Sequence, residues 1–298
     1  MLALLGAGAN AASSILQRKA NRAQPRQRRL NWRLLPGLFR QPVWFAGIGA
    51  IVLGFLLQAA ALRFGSLALV EPILVVELPI TLLAAARAFD ARPSTRDWLS
   101  IGLLTVGLGG LLATLAPAEV AAHVMSERTW LVGLAVTVGM LAALVGWGRY
   151  ELARDVGNRA AAVLGIAGGG AFGLTAALMK GTTDALAGGI PAVLACWQLY
   201  AMAAAGLGAL FLVQTAMNAG PLMATQPGLT LADPVVSILW GVLGFHERIR
   251  AGWFVLPEVL TAALVAIAVV RLARSPVLSG RAGTEDGVGA CPALTVER

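Results

Sequence analysis

The 298-residue chain is short of charge. Only 13% of its residues are Asp, Glu, Lys or Arg, against about 25% in ordinary soluble domains. Two cysteines, Cys196 and Cys291, cannot make a disulfide framework. Two histidines, His123 and His246, leave little room for histidine-based catalysis. There is no Walker sequence, no Gly-x-Ser-x-Gly, no Cys-x-x-Cys and no Asn-x-Ser/Thr sequon. Gly6-Ala7-Gly8-Ala9-Asn10-Ala11 fits a loose dinucleotide fingerprint, but no strand precedes it and a basic stretch follows. His246-Glu247-Arg248 lacks the second histidine of a zinc-protease motif. These absences point away from an enzyme and from any bound cofactor.

What fills the chain instead is hydrophobic: 58% of residues, with a mean hydropathy of +0.76. The apolar residues come in runs near the length of about 20 that a bilayer-crossing helix needs. Nine runs qualify or nearly qualify, at roughly 2–17, 43–62, 66–87, 98–116, 130–148, 160–180, 191–213, 221–244 and 252–271. They do not alternate as barrel strands do, so the expected fold is all-α, a polytopic membrane protein of nine transmembrane helices. The residues after 275 read as a disordered cytoplasmic tail.

Charge orients the spans. With the N-terminus outside, 18 Lys and Arg fall on the internal side and five on the external side, as the positive-inside rule requires. The net charge of +8 is thus a matter of topology, and nucleic acid is not an expected partner. Basic residues follow the first run rather than precede it, which argues for a retained span over a signal peptide. Trp44, Trp98 and Trp147 are expected at the internal interface, and Trp130, Trp240 and Trp253 at the external one. Lys180 is expected to snorkel to the outer surface.

The chain also repeats. Shifted by 155 residues, Leu57–Trp98 falls on Leu212–Trp253 without a gap, with eight of 42 positions identical. Pro72 and Pro79, each seven residues after a glycine or the other proline, meet Pro227 and Pro234. The third span matches the eighth, five crossings later, so the copies run in opposite directions. The expected organisation is one domain over 1–275: repeat A (1–117), a linking helix (130–148) and repeat B (157–275). Inverted repeats with interrupted helices are a signature of secondary transporters, with the substrate near the midplane.

Four elements carry a family resemblance. They are Ser14-Ile15-Leu16-Gln17-Arg18-Lys19, the stretch Ala59–Pro72, Met179-Lys180-Gly181, and Thr215–Pro227 followed by Asp233-Pro234. Together they resemble the drug/metabolite transporter (EamA-like) superfamily. The nine-span plan is most similar to its NIPA-like magnesium-transporter branch, although the basic loop 18–42 is longer than the linker of that branch. The resemblance implies a carrier of a small solute or of Mg²⁺.

Four carboxyl residues sit inside the apolar runs: Glu71, Glu77, Asp233 and Glu258. Intramembrane acids are costly and usually face a bundle interior or a wet cavity. Glu77 and Asp233 fall near the centres of their spans, and Glu71 has Gln226 as its repeat mate. Interior prolines free carbonyls one turn back, so Pro72, Pro79, Pro227 and Pro234 are read as helix breaks along a polar pathway. The alternative for each acid is a packing residue hydrogen-bonded to its neighbours. Gly165, Gly169 and Gly173 recur every four residues and read as a close helix-packing face.

The expected function is a multi-pass secondary transporter of the plasma membrane working by alternating access. In one version Glu77 and Asp233 hold a partly hydrated Mg²⁺. In the other the same acids carry protons in exchange for an organic solute. A non-transporting scaffold or partner subunit is the alternative from another class. The expected partners are the bilayer and the substrate, with a homodimer left open.

Overall fold

A computed structural model describes residues 1–22, 42–88, 93–114, 125–154, 156–220, 222–247 and 255–273. The tail after 275, most of the basic loop 18–42, and Trp32, His123 and Trp253 lie outside them. All regular structure among the described residues is helical. In chain order the helices are α1 (Leu2–Arg22), α2 (Pro42–Phe64), α3 (Leu67–Leu74), α4 (Glu77–Ala88), α5 (Thr95–Thr114), α6 (Glu127–Ala153), α7 (Gly157–Ala185), α8 (Gly189–Ala195), α9 (Trp197–Ala219), α10 (Leu222–Leu239) and α11 (Val255–Ala273). A π-helical turn over Trp240–Gly244 extends α10.

Among the described residues, six stretches are long and apolar enough to cross a membrane: Phe45–Phe64, Leu67–Ala88, Glu127–Ala153, Gly157–Ala195, Trp197–Ala219 and Ala224–Gly244. The apolar part of α1, Leu2–Leu16, is shorter. Much of the outer surface is apolar: Leu131, Leu207 and Phe211 are each at least 70% exposed. A continuous apolar exterior of this kind suits a lipid environment.

Element boundaries carry the 155-residue offset far beyond the aligned window. It places α1 on the start of α7, α2 on α9 at both ends, and the start of α3 on the start of α10. Packing follows the same plan. α1 packs on α2 and α4, as α7 packs on α9 and α10; across the halves α3 meets α10 and α5 meets α11. α6 leans on α7.

One boundary differs from expectation. The run 191–213 was expected to cross as a unit, but α9 starts only at Trp197. Gly189 at φ +83° and the extended backbone of Cys196 (ψ 132°) break the chain on either side of the short α8. A positive φ is accessible to glycine without a Cβ clash, so the chain turns there instead of entering a long helix.

Local chemistry sets several ends. Ser126 caps α6 by accepting from the Thr129 amide at 3.2 Å. Ser94 and Asp97 form a reciprocal capping box on α5, with bonds of 2.8 and 3.3 Å. Two apolar clusters hold the bundle. One gathers Leu62, Leu67, Val70, Trp130, Leu178 and Trp240 at one end. The other gathers Leu82, Ala85, Leu104, Leu108, Val265 and Val269 where α4, α5 and α11 meet.

Candidate functional site

The third expected span is two helices. Between α3 and α4 the Val75 amide donates to the Pro72 carbonyl (3.2 Å), the Val76 amide to Ile73 (3.1 Å) and the Leu78 amide to Val75 (3.0 Å). Pro79 has no N–H to offer Val75 one turn back, and Leu78 takes that carbonyl over a tighter loop. Glu77 therefore opens α4, at a helix N-terminus where a carboxylate is favoured.

The eighth expected span behaves differently, and this corrects the reading of its prolines as breaks. Pro227 and Pro234 lie inside a continuous α10. The reason lies in α7. A Cβ on Gly165 would stand 2.5 Å from the Thr225 carbonyl oxygen, one on Gly173 2.6 Å from that of Asp233, and one on Gly169 would overlap that of Leu229. The glycine stripe is a bed into which the α10 backbone sinks, and that contact supports a helix its prolines would otherwise weaken. The partner of the packing face read from the sequence is thus α10.

Between α1, α2, α3, α4, α7, α9 and α10 lies a cavity of about 920 Å³. Glu71, Glu77, Gln226 and Asp233 all line it. Equivalent positions of the two halves build it: Glu71 and Gln226, Leu74 and Leu229, Val75 and Thr230, Leu78 and Asp233. Asp233 lies within electrostatic range of both Glu71 and Glu77. Asn10 from α1 faces Glu77. Gln58 of α2 donates to Glu71 at 3.0 Å, and Glu71 itself is buried. Asp233 Oδ1 is buried with no hydrogen-bond partner among the described residues; Ser237, one turn on, is within hydrogen-bond reach of the Asp233 carboxyl and also donates to the Gly173 carbonyl at 3.5 Å. Glu258 does not line the cavity. It stands in the first turn of α11, a helix that packs chiefly on α5.

One end of the bundle is closed by contacts with no local sequence signal. The Glu247 carboxylate accepts from the Leu67 amide at 2.6 Å and the Ala68 amide at 2.9 Å. Ser66, the residue before α3, makes no side-chain cap, so a residue 180 positions away supplies it. Such charge-assisted bonds contribute about 1.5–3 kcal/mol each. Lys180 is buried rather than snorkelling. Its Nζ reaches the carbonyls of Leu62 (3.4 Å) and Gly65 (3.3 Å) at the end of α2 and stands 5.4 Å from the Phe245 ring centre.

Trp130 and Trp240, expected at a lipid interface, are buried beside these contacts. Their rings are 5.1 Å apart, Phe245 meets Trp130 edge-on at 5.8 Å, and the Trp240 indole donates to Thr137 at 3.2 Å. Satisfying the indole N–H inside the bundle removes the need for the interface. Trp98 and Trp147 are exposed, as an interfacial role requires. Sequence reasoning passed over Glu247 because its partners lie in the other half of the chain.

The class that these features define is an all-helical protein, rich in helices long and apolar enough to cross a membrane, folded round a cavity holding three acids. No protein-family profile and no solved structure matches the chain. An uncharacterized protein of Corynebacterium glutamicum is 30% identical over 245 residues, which is 80% of this chain and 83% of the relative. The chain belongs to the family of that corynebacterial protein.

Proposed function

We propose that the protein is a secondary carrier of the plasma membrane that moves a small organic solute by alternating access. The single observation that carries this reading is the cavity of about 920 Å³ lined by Glu71, Glu77 and Asp233. It has the size of a small-molecule site, and both repeats contribute equivalent positions to it. In this reading the described helices form nine crossings. They divide into two inverted four-helix repeats joined by α6, with the N-terminus outside and the C-terminus in the cytoplasm, in the manner of the drug/metabolite transporters the sequence resembles.

The end closed by Glu247, Lys180 and the aromatic cluster is then the outer one. Opening it requires α3 to part from the turn after α10, and α2 from the end of α7. The acids bind and release protons as the two ends open in turn, and a proton gradient supplies the energy.

A magnesium carrier is the weaker reading. The cavity walls are mostly apolar side chains, which suit an organic solute better than a hydrated ion. A scaffold without transport would need no hollow around its buried acids.

The test is transport in proteoliposomes with an imposed proton gradient, screening solutes and Mg²⁺. Glu77→Gln and Asp233→Asn should each abolish movement while the protein stays folded in the membrane. Full transport by both variants would remove these residues from the mechanism.

A further inference from the structure

The cavity is not sealed from the side. Ile51 and Phe55 of α2 and Leu207 and Leu210 of α9 line it, yet they are 45%, 40%, 70% and 53% exposed. All four lie near the middle of their helices, where a membrane protein meets hydrocarbon. α2 packs on α1 and α9 packs on α7, but α2 and α9 are not packed on each other. The cavity thus has an apolar mouth between them at mid-depth. Opposite stand the three carboxyls, and no Lys, Arg or His lines the space among the described residues. Lys180 is held by the Leu62 and Gly65 carbonyls. Asp233 Oδ1 is a buried acceptor without a donor among the described residues.

From this geometry we infer that the cavity takes a cationic amphiphile, an organic ammonium with an apolar tail, whose head sits among Asp233, Glu71 and Glu77 and whose tail leaves through the mouth between α2 and α9 into the lipid. The inference rests on the carrier reading and names its substrate class. Burying a carboxylate is costly without a partner charge, and an ammonium head supplies that charge. Phe55 and Phe172 line the cavity, and aromatic rings attract such a cation. A zwitterion or an anion would bring a carboxylate among three others, with no basic side chain to receive it. The mouth explains why apolar residues line a space whose centre is acidic: head and tail need different walls.

The experiment uses the full chain in nanodiscs of phosphatidylethanolamine and phosphatidylglycerol, with binding read by equilibrium dialysis and corrected with empty discs. The probes are benzyltrimethylammonium, its uncharged isostere neopentylbenzene, and the 4-octyl homologue of the cation. The cation should bind saturably and the isostere at least tenfold more weakly. Asp233→Asn should cost the cation at least tenfold, and Glu77→Gln reads the same charge requirement from the other half of the chain. The octyl homologue should bind more tightly than the parent, and Leu207→Trp, which narrows the mouth, should reduce the ratio of the two affinities at least fivefold. Equal binding of cation and isostere, or indifference to both acid variants, overturns the cationic assignment. An unchanged ratio in Leu207→Trp overturns the lateral tail. Asp233-dependent transport of Mg²⁺ or a zwitterion without saturable cation binding overturns this inference and leaves the carrier standing. Saturable cation binding with no solute moved supports the inference and overturns the carrier.

Discussion

The helix pair α3–α4 and the helix α10 carry the same two prolines at the same spacing, yet the first is broken at Val75–Val76 and the second is not. The difference is set by the helix each lies beside. Where α7 has Gly165, Gly169 and Gly173, the 155-residue offset places Asn10, Ser14 and Arg18 on α1. Glycine lets the carbonyls of Thr225, Leu229 and Asp233 press onto the α7 backbone. Asn10 and Ser14 instead put side chains into the space and line the cavity. One half of the molecule therefore provides a firm wall, and the other provides the hollow and a helix N-terminus inside it. A local proline pattern weakens a helix; the neighbouring helix decides whether it breaks.

Making α7 resemble α1 should do the most damage. Gly169→Ser puts atoms where the Leu229 carbonyl lies, and overpacking of this kind costs about 1–3 kcal/mol. We expect the top of that range, seen as a large fall in thermal unfolding temperature in detergent. The reverse change, Ser14→Gly, should leave that temperature almost unmoved. Equal effects would remove the glycine bed as the source of the asymmetry.

Next in size is the closure between the halves. Glu247→Ala leaves the Leu67 and Ala68 amides without their acceptor at a part-buried site, where water replaces some of what is lost, so the net cost is about 2 kcal/mol. A cysteine at Ala61, buried in the cluster at this end, should then react several-fold faster with a water-soluble maleimide in a background lacking Cys196 and Cys291. No change in labelling would show that the closed end does not depend on this carboxylate.

The prolines offer a third comparison. Pro234 lies deep in a continuous helix, where a proline costs about 3 kcal/mol, whereas Pro79 lies in the first turn of α4, where its missing N–H matters little. Pro234→Ala should raise the unfolding temperature, and Pro79→Ala should raise it less. The smallest effect expected is that of Gln58→Val, which gives α2 the residue that α9 carries at the equivalent Val213. Losing the donor to Glu71 should cost about 1 kcal/mol, measured by the same thermal unfolding.

Much of the architecture is legible in the sequence because it rests on composition and period. Apolar runs of bilayer length become helices, since backbone groups in lipid must bond within their own segment. The offset of 155 residues, read from two prolines and a few glycines, reappears in the boundaries of α1 and α7, and of α2 and α9. Glu71, Glu77, Gln226 and Asp233 were singled out by depth and repeat position, and they do line one cavity. Glu258 was singled out only as an acid inside an apolar run, and it does not line the cavity. Depth along a helix can be counted from its ends, but the direction a side chain faces depends on which helices surround it.

The sequence by itself determined that this chain is helical and rich in apolar runs of bilayer length, and it carried a 155-residue offset that several helix boundaries keep, because those properties follow from each residue's solubility and from a comparison of the chain with itself. Only the tertiary structure decided which acids share a hollow, which of two proline-bearing helices breaks, and that Glu247 closes one end on amides 180 positions away. These depend on contacts between segments remote in the chain. Their free energies come from mutual fit, which no single segment contains.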